Sequence, residues 1–467
     1  MCSVFGALVW GLIGNEEVGK FNSAMQYIAN SSQERGRDGR GFLATTHQPQ
    51  SWNTKQWCKH YTDLDRGVKT WPEFLLERER VYTGVFIGNT RAEPTTEYTE
   101  DKRRFDQQPY TCGDWAVVHN GTIANDKELR TGRCLTKIDS ACIPEQLNEL
   151  NHFQHDHFAN FVHDTFKGSY AILSANMKAR DHIYYACNYR PLWYVECEFG
   201  VFFASSKDYL PPWLGVATMI RPYSGGYFRA PGAGETRAVH YSTTHHQTNN
   251  RTLVVCSGGL DSTVAAAKLI AEGREVELVH FEYGSRAQQP EVWAVRKIAK
   301  ALGVPLHFQS VPIYKASDSP LLQHNSEIAG GEAGAEFAHE WVPARNLVML
   351  AVATAFAEAN NFSSIALGNN LEEAGAYPDN EPEFINRMND VMPFAVGCGK
   401  AVRIEMPVGN LMKHEIVALG LEIGAPLDST WSCYRAGNLH CGKCGPCFMR
   451  RKAFEINGAP EVINYQE

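Results

Sequence analysis

Leu253-Val254-Val255 runs directly into Cys256-Ser257-Gly258-Gly259-Leu260-Asp261-Ser262, and residues 262–272 continue with helical spacing. An apolar run, a paired-glycine turn and an amphipathic segment admit few folds. Glycines let the backbone approach a ligand closely, and the helix that follows points its N–H groups and positive dipole end at the turn. The turn carries no lysine of the GxxxxGK[ST] type, so it is not that phosphate loop. The pattern repeats downstream. Val276, Leu278, Val279 and Phe281 predict a second strand, 286–302 a helix and Val304–Phe308 a third strand. Further helices are expected over 345–360 and 413–423, with a strand at Ile365–Leu367 between them. Strands alternating with helices predict an α/β, doubly wound parallel sheet.

That unit occupies less than half of a 467-residue chain. One core rarely serves more than roughly 250–300 residues, so two domains are expected. Residues 229–250, RAPGAGETRAVHYSTTHHQTNN, are polar and lack aliphatic periodicity. The division expected is therefore 1–230, a linker at 231–250, and 251–467. The first part differs in pattern. Val4–Trp10, Val85–Asn89 and Ala116–His119 are short apolar segments between polar loops, and 20–34 reads as a helix. This predicts an α+β domain of stacked sheets.

The net charge of −8 argues against a broad nucleic-acid surface. No apolar run approaches the roughly 20 residues of a membrane span, and the apolar N-terminus lacks a basic flank. Thirteen cysteines, four of them within residues 433–447, suit a reducing cytoplasm and a metal site better than a disulfide framework. Cys433, Cys441, Cys444 and Cys447 are spaced to give a tetrahedral zinc site filled by protein; an iron–sulfur cluster uses the same ligands.

Cys2 would present both a thiol and an α-amine once Met1 is removed, and the amine can act as base for the thiol. Further along stand Arg35-Gly36-Arg37-Asp38-Gly39-Arg40-Gly41, Gly88-Asn89-Thr90-Arg91, His119-Asn120-Gly121 and Asp139. In this order they resemble the class II (N-terminal-nucleophile) glutamine amidotransferases over about residues 1–230. The resemblance implies that Cys2 attacks the glutamine amide and that Asn120 and Gly121 hold the oxyanion. It also implies that Arg91 grips the α-carboxylate and Asp139 pairs with the α-ammonium.

The SGGLDS turn resembles the PP-loop of ATP pyrophosphatases, adenine-nucleotide alpha-hydrolase-like proteins that cleave ATP to AMP and pyrophosphate. It implies that Ser257, Gly258, Gly259, Leu260, Asp261 and Ser262 bind ATP, that Asp261 helps hold Mg2+, and that Lys413 neutralises phosphate charge.

Thr430-Trp431-Ser432-Cys433-Tyr434, Arg450, Phe454, Val342-Pro343-Ala344-Arg345-Asn346, Phe281-Glu282-Tyr283-Gly284 and Tyr377-Pro378-Asp379-Asn380-Glu381-Pro382-Glu383-Phe384-Ile385 all resemble the 7-cyano-7-deazaguanine synthase family, over 252–460. Members adenylate 7-carboxy-7-deazaguanine, add ammonia and dehydrate the amide to a nitrile. Arg345, Asn346, Glu373, Tyr377, Asp379, Glu381 and Glu383 are the substrate-binding candidates this implies. Two departures stand out. The usual YPDCRPEFI reads YPDNEPEFI, so Glu381 replaces an arginine, and the usual DYSG reads Glu373-Ala374-Gly375-Ala376. A carboxylate in place of a cation inverts the local field. Other acceptors thus stay open: a protein or peptide amine, as in antiphage relatives, or a nitrile already in tRNA or DNA. Glu381 is equally read as a solvated loop carboxylate. Asparagine synthetase shares the domain order but lacks the four cysteines and the YPD…PEFI stretch. A degenerate scaffold is disfavoured by two intact residue sets. A homodimer is compatible with all of these readings.

Overall fold

The computed structural model describes residues 2–12, 14–36, 39–47, 54–62 (backbone only), 81–92, 106–134, 136–150, 155–232, 235–245, 248–323, 326–328, 330–331, 340–374 (373–374 backbone only), 377–397 and 401–466. The chain divides into two compact units, Met1–His246 and Gln247–Glu467.

The first unit is built on two antiparallel sheets. One has the order β11 (Thr218–Met219), β9 (Trp193–Cys197), β10 (Gly200–Ala204), β1 (Ser3–Leu12), β4 (Val81–Arg91), β2 (Gly39–His47), β3 (Thr54–Thr62). The other runs β13 (Val239–Thr244), β12 (Ser224–Arg229), β8 (His182–Cys187), β7 (Gly168–Asn176), β6 (Trp115–Ile123), β5 (Tyr110–Cys112). Successive side chains of a strand face opposite ways. Accordingly Val4, Leu8 and Trp10 join Val85, Ile87, Val118, Leu173 and Tyr185 in a core between the sheets. Phe5, Ala7 and Val9 instead pack with Phe86 and Phe202 against Val18, Phe21, Met25 and Ile28 of the helix Asn15–Ser32. The outer face of the second sheet is covered by Ile143, Leu147, Phe158 and Val162. β1 and β10 are apolar on both faces because both of their faces are buried.

Two expectations are corrected here. The first helix begins at Asn15 and ends at Ser32, not 20–34; Glu16 and Glu17 suit a first turn through the helix dipole. Residues 231–250 are not linker throughout. Val239–Thr244 is an edge strand paired residue for residue with β12, and its mostly exposed side chains disguise it.

The second unit holds a five-stranded sheet with all pairings parallel, in the order β16 (Leu306–Ser310), β15 (Glu275–Glu282), β14 (Arg251–Val255), β17 (Ser364–Ala366), β18 (Arg403–Glu405). Leu253 faces a layer of Met349, Leu350, Ala353, Ile385 and Met392 from the helices Arg345–Ala359 and Pro382–Ala395. Val254 and Cys256 face the other layer, with Ala266 and Leu269 of Leu260–Ala271 and Val295 and Ile298 of Gln288–Leu302. Helices Lys413–Glu422 and Gly445–Ile456 extend that layer. The strand order reverses between β14 and β17, which opens a crevice at the carboxyl ends of those strands. No helix among the described residues is long and apolar enough to cross a membrane.

Candidate functional site

Strand register assembles the first constellation. β1 pairs antiparallel with β4 so that Ser3 lies opposite Thr90. Cys2, just before β1, therefore meets Arg91, the last residue of β4, and its thiol reaches the Ala92 carbonyl at 3.7 Å. Cys2 is half-buried, and loss of hydration pushes its thiol above the ordinary value, with Arg91 pulling the other way and Asp139 adding to the rise. A thiol held protonated needs a proton acceptor to become a nucleophile.

Asn120 and Gly121 lie on β6. Asn120 is buried, and its side chain has no hydrogen-bond partner among the described residues. Gly121 has φ +147°, and a Cβ there would sit 1.9 Å from the Ser169 carbonyl, so no other residue fits. The preceding His119 is locked: Nε2 lies 3.2 Å from the Ser169 carbonyl and Nδ1 2.8 Å from Ser140 Oγ. Nε2 must therefore carry the proton, which leaves Nδ1 to accept. Burial lowers the pKa of His119, which fits a neutral ring. Gln108 clamps the same residue, Nε2 donating to the His119 carbonyl at 3.0 Å and Oε1 accepting from its N–H. Asp139 accepts from the N–H groups of Ile123 at 2.6 Å and Ser140 at 2.7 Å, which fixes its carboxylate beside the end of β6. Arg37 and Asp38 of the glycine-rich loop lie outside the described residues.

The pattern of motifs missed two participants. Tyr110 is buried with its hydroxyl donating to Asp106 O at 2.6 Å, and its pKa is raised by burial, against the pull of Arg91 and with contributions from Asp139 and Cys2. Gln108 is the other. Neither stands in a recognisable motif; both are delivered by the return of the chain into β5.

In the second unit the Ser257–Ser262 turn sits at the end of β14. Gly258 has φ +85°, and a Cβ there would meet the Glu291 carbonyl at 3.0 Å. Gly259 N donates to Ser257 Oγ at 3.3 Å, and Thr263 Oγ1 to Gly259 O at 2.7 Å. Asp261 Oδ2 accepts from Lys413 Nζ and, at 3.2 Å, from Asn370 Nδ2. Its Oδ1 is buried without a partner among the described residues. Glu372 Oε1 accepts the Lys413 N–H at 3.0 Å, and its Oε2 is likewise buried with no partner among the described residues. A cavity of about 230 Å³ is lined by Ser257, Gly259, Leu260, Asp261, Ser262 and Lys413 at one side. Tyr283, Ser285, Glu291, Arg345, Asn346 and Asn380 also line it.

The substrate candidates separate. Arg345 and Asn346 line the cavity. Asp379 instead caps the helix Arg345–Ala359, its Oδ2 accepting Asn346 N at 3.1 Å. Tyr377 stacks on Trp341, ring centroids 6.3 Å apart. Asn380 accepts from Asn346 Nδ2 at 2.6 Å and reaches the cavity. Glu381 is half-buried at the start of the helix Pro382–Ala395 and is not one of the lining residues. Glu383 is not brought to the cavity: it is largely exposed and pairs with Arg387 at 2.8 Å, one helical turn on. The side chain of Glu373 lies outside the described residues, as do Gly375 and Ala376.

Cys433, Cys441, Cys444 and Cys447 converge, all buried, with their sulfur atoms within 4.8 Å of one another. The N–H groups of Arg435 and Cys441 point at Cys433 Sγ (3.3 and 3.4 Å), and those of Lys443 and Cys444 at Cys441 Sγ (3.4 Å each). Such donors stabilise thiolates, and four thiolates packed so closely require a cation; the set fits a tetrahedral metal ion. His440 has a task not foreseen. Nε2 accepts the Ser432 N–H at 3.0 Å, and burial holds the ring neutral, its pKa lowered to about 4. Arg450, 1% exposed, binds Thr430 Oγ1, the Leu427 carbonyl at 3.0 Å and Glu461 at 3.2 Å.

One unit thus gathers Cys2, Arg91, Asn120, Gly121 and Asp139 around the ends of β1, β4 and β6, and the other sets a glycine turn, a cavity and four converged cysteines at the carboxyl ends of its parallel strands. Residues 96–212 match the model described as glutamine amidotransferase domain, and residues 251–458 the model described as Queuosine biosynthesis protein QueC. Over 100% of both chains, this protein is 42% identical to the 7-cyano-7-deazaguanine synthase of Saccharolobus solfataricus and 41% identical to that of Sulfolobus acidocaldarius. A shorter relative of the same name, from Methanothrix thermoacetophila, aligns at 39% identity with 46% of this chain and 99% of its own. The chain belongs to the 7-cyano-7-deazaguanine synthase family, in the form that carries an amidotransferase domain.

Proposed function

We propose that the chain converts a 7-carboxy-7-deazaguanine-type acid to the nitrile, using ATP for activation and glutamine as the ammonia source. The observation that carries this reading is Asp261 in the glycine turn, held by Lys413 and Asn370, with Oδ1 left without a partner among the described residues. A carboxylate, a lysine and a glycine loop together suit a polyphosphate that departs with several negative charges. The substrate carboxylate attacks the α-phosphorus of ATP, and pyrophosphate leaves. Ammonia then attacks the acyl carbon and AMP leaves, which gives the amide. Activation of the amide oxygen in the same manner, followed by its loss, gives the nitrile. Asp261 Oδ1 and Glu372 Oε2, which have no partner among the described residues, are the oxygens that would hold Mg2+, which when bound would neutralise phosphate charge.

In the first unit, an N-terminal-nucleophile mechanism fits the arrangement. Cys2 Sγ attacks the glutamine amide, with the Cys2 α-amine as base after Met1 is removed. Asn120 Nδ2 and the Gly121 N–H face the developing oxyanion, Arg91 takes the α-carboxylate and Asp139 the α-ammonium. The four cysteines are assigned to Zn2+ because all positions around the ion are filled by sulfur. An amine acceptor rested on Glu381; since the cavity is lined by Asn380 instead, ammonia is kept as the acceptor.

Incubating the protein with the acid, Mg-ATP and glutamine should release AMP and pyrophosphate, read by chromatography. Asp261→Ala should stop AMP release and leave glutamine hydrolysis running. Accumulation of ADP and phosphate would refute the adenylation reading.

A further inference from the structure

Glu291 is used by nothing described so far. It stands in the first turn of the helix Gln288–Leu302, and its backbone packs on Gly258 of the glycine turn. It lines the cavity together with Tyr283, Ser285 and Arg345. Ser285 Oγ donates to Oε2 at 2.9 Å, whereas Oε1 has no partner among the described residues. Loss of hydration pushes the carboxyl up to about 7, against the smaller pull of Ser285 and Arg345. The corner thus has one neutral donor and one cation, too few to hold a desolvated carboxylate at its usual value.

We propose that Glu291 is the specificity-determining residue for the ring of the acid substrate, its carboxylate accepting the two adjacent N–H donors of a guanine-type edge. This rests on the substrate reading above. A carboxylate offers two parallel acceptors, and the N1–H and 2-amino group of a guanine-type ring offer two parallel donors. Adenine presents one donor and one acceptor on the corresponding edge and matches a carboxylate poorly. Placement agrees. Glu291 interacts with Arg345, and Arg345 with Tyr283, Tyr434 and Asp379. The Asp261–Lys413–Asn370 group is a separate cluster. The ring edge thereby lies with Arg345, and the phosphates with Lys413. Tyr283 and Tyr434 supply flat faces at the same end.

Glu291→Gln keeps size and shape but replaces one acceptor with a donor that opposes an N–H. With 7-carboxy-7-deazaguanine, Mg-ATP and ammonium chloride, its KM for the acid should rise about 10–100-fold, the range of a lost bidentate contact. Its KM for ATP should stay unchanged, and its thermal unfolding should match the parent. The parent should discriminate against the analogue lacking the 2-amino group; Glu291→Gln should lose most of that discrimination, and Glu291→Asp should retain it. A raised KM for ATP with an unchanged KM for the acid would overturn the assignment, as would no change in either. If the parent forms no AMP from the acid, the adenylation reading fails. Glu291 is then judged by calorimetric binding of 7-deazaguanine, and equal affinity of parent and Glu291→Gln, or no binding to the parent, overturns it.

Discussion

At the scale of single residues, the amidotransferase unit depends on geometry that few substitutions preserve. Cys2 is shielded enough to keep its proton, so a nucleophile at this position would need a neighbouring base and could not rely on a lowered pKa. Cys2→Ala should abolish glutamate release from glutamine while leaving synthesis supported by added ammonium intact; glutamate release at the parental rate would remove Cys2 from the nucleophile's role. Asn120→Ala should lower kcat for glutamine roughly 10²–10³-fold, the usual consequence of losing one oxyanion donor. Its KM should move far less, since the contact forms with the developing charge. His119, fixed from three sides by Gln108, Ser140 and Ser169, holds β6 in the pose that presents Asn120.

At the scale of elements, the helix Arg345–Ala359 starts without a side chain of its own as cap, and Ala344 before it adopts φ +51°. The missing acceptor comes from Asp379, more than thirty residues away. Removing a capping carboxylate typically costs about 0.5–2 kcal/mol. Asp379→Ala should lower the urea midpoint of the second unit accordingly, with Asp379→Asn closer to the parent; an unchanged midpoint would deny Asp379 this part. Such remote caps mark where sequence reasoning stops. The Ser257–Ser262 turn was legible because strand, glycines and helix are contiguous, and the four cysteines because thiols at that spacing have few other uses. β14, β15 and the helices Leu260–Ala271 and Lys413–Glu422 followed from periodicity to within two residues at most ends. The helix Pro382–Ala395 was hidden by Pro393, since proline ordinarily argues against a helix interior, whereas Pro382 sits at the first position, where proline is tolerated. Tyr110, Gln108, Glu372 and Glu291 were invisible because partners distant in the chain, not neighbours, give them their surroundings. Glu383 shows the converse: it belongs to a telling stretch of sequence yet points to solvent.

At the scale of the whole molecule, the two units should fail separately. Elemental analysis should find about one Zn2+ per chain, as a filled four-sulfur site implies. Removing it with a strong chelator, or making Cys444→Ser, should lower the unfolding temperature of the second unit and abolish AMP formation as that unit unfolds. Glutamine hydrolysis by the first unit should persist. Iron with a visible absorption band in anaerobically prepared protein would replace zinc by a cluster. The setting of Arg450 carries a different lesson. Its guanidinium holds Leu427, Thr430 and Glu461 at once, and Glu461 in turn accepts from Tyr465. Residues 427–465 therefore behave as one inherited block. A chimera that imports the cysteine helix from a relative without residue 461 would strand a buried cation, and a shuffled library should recover crossovers outside this block, seldom within it.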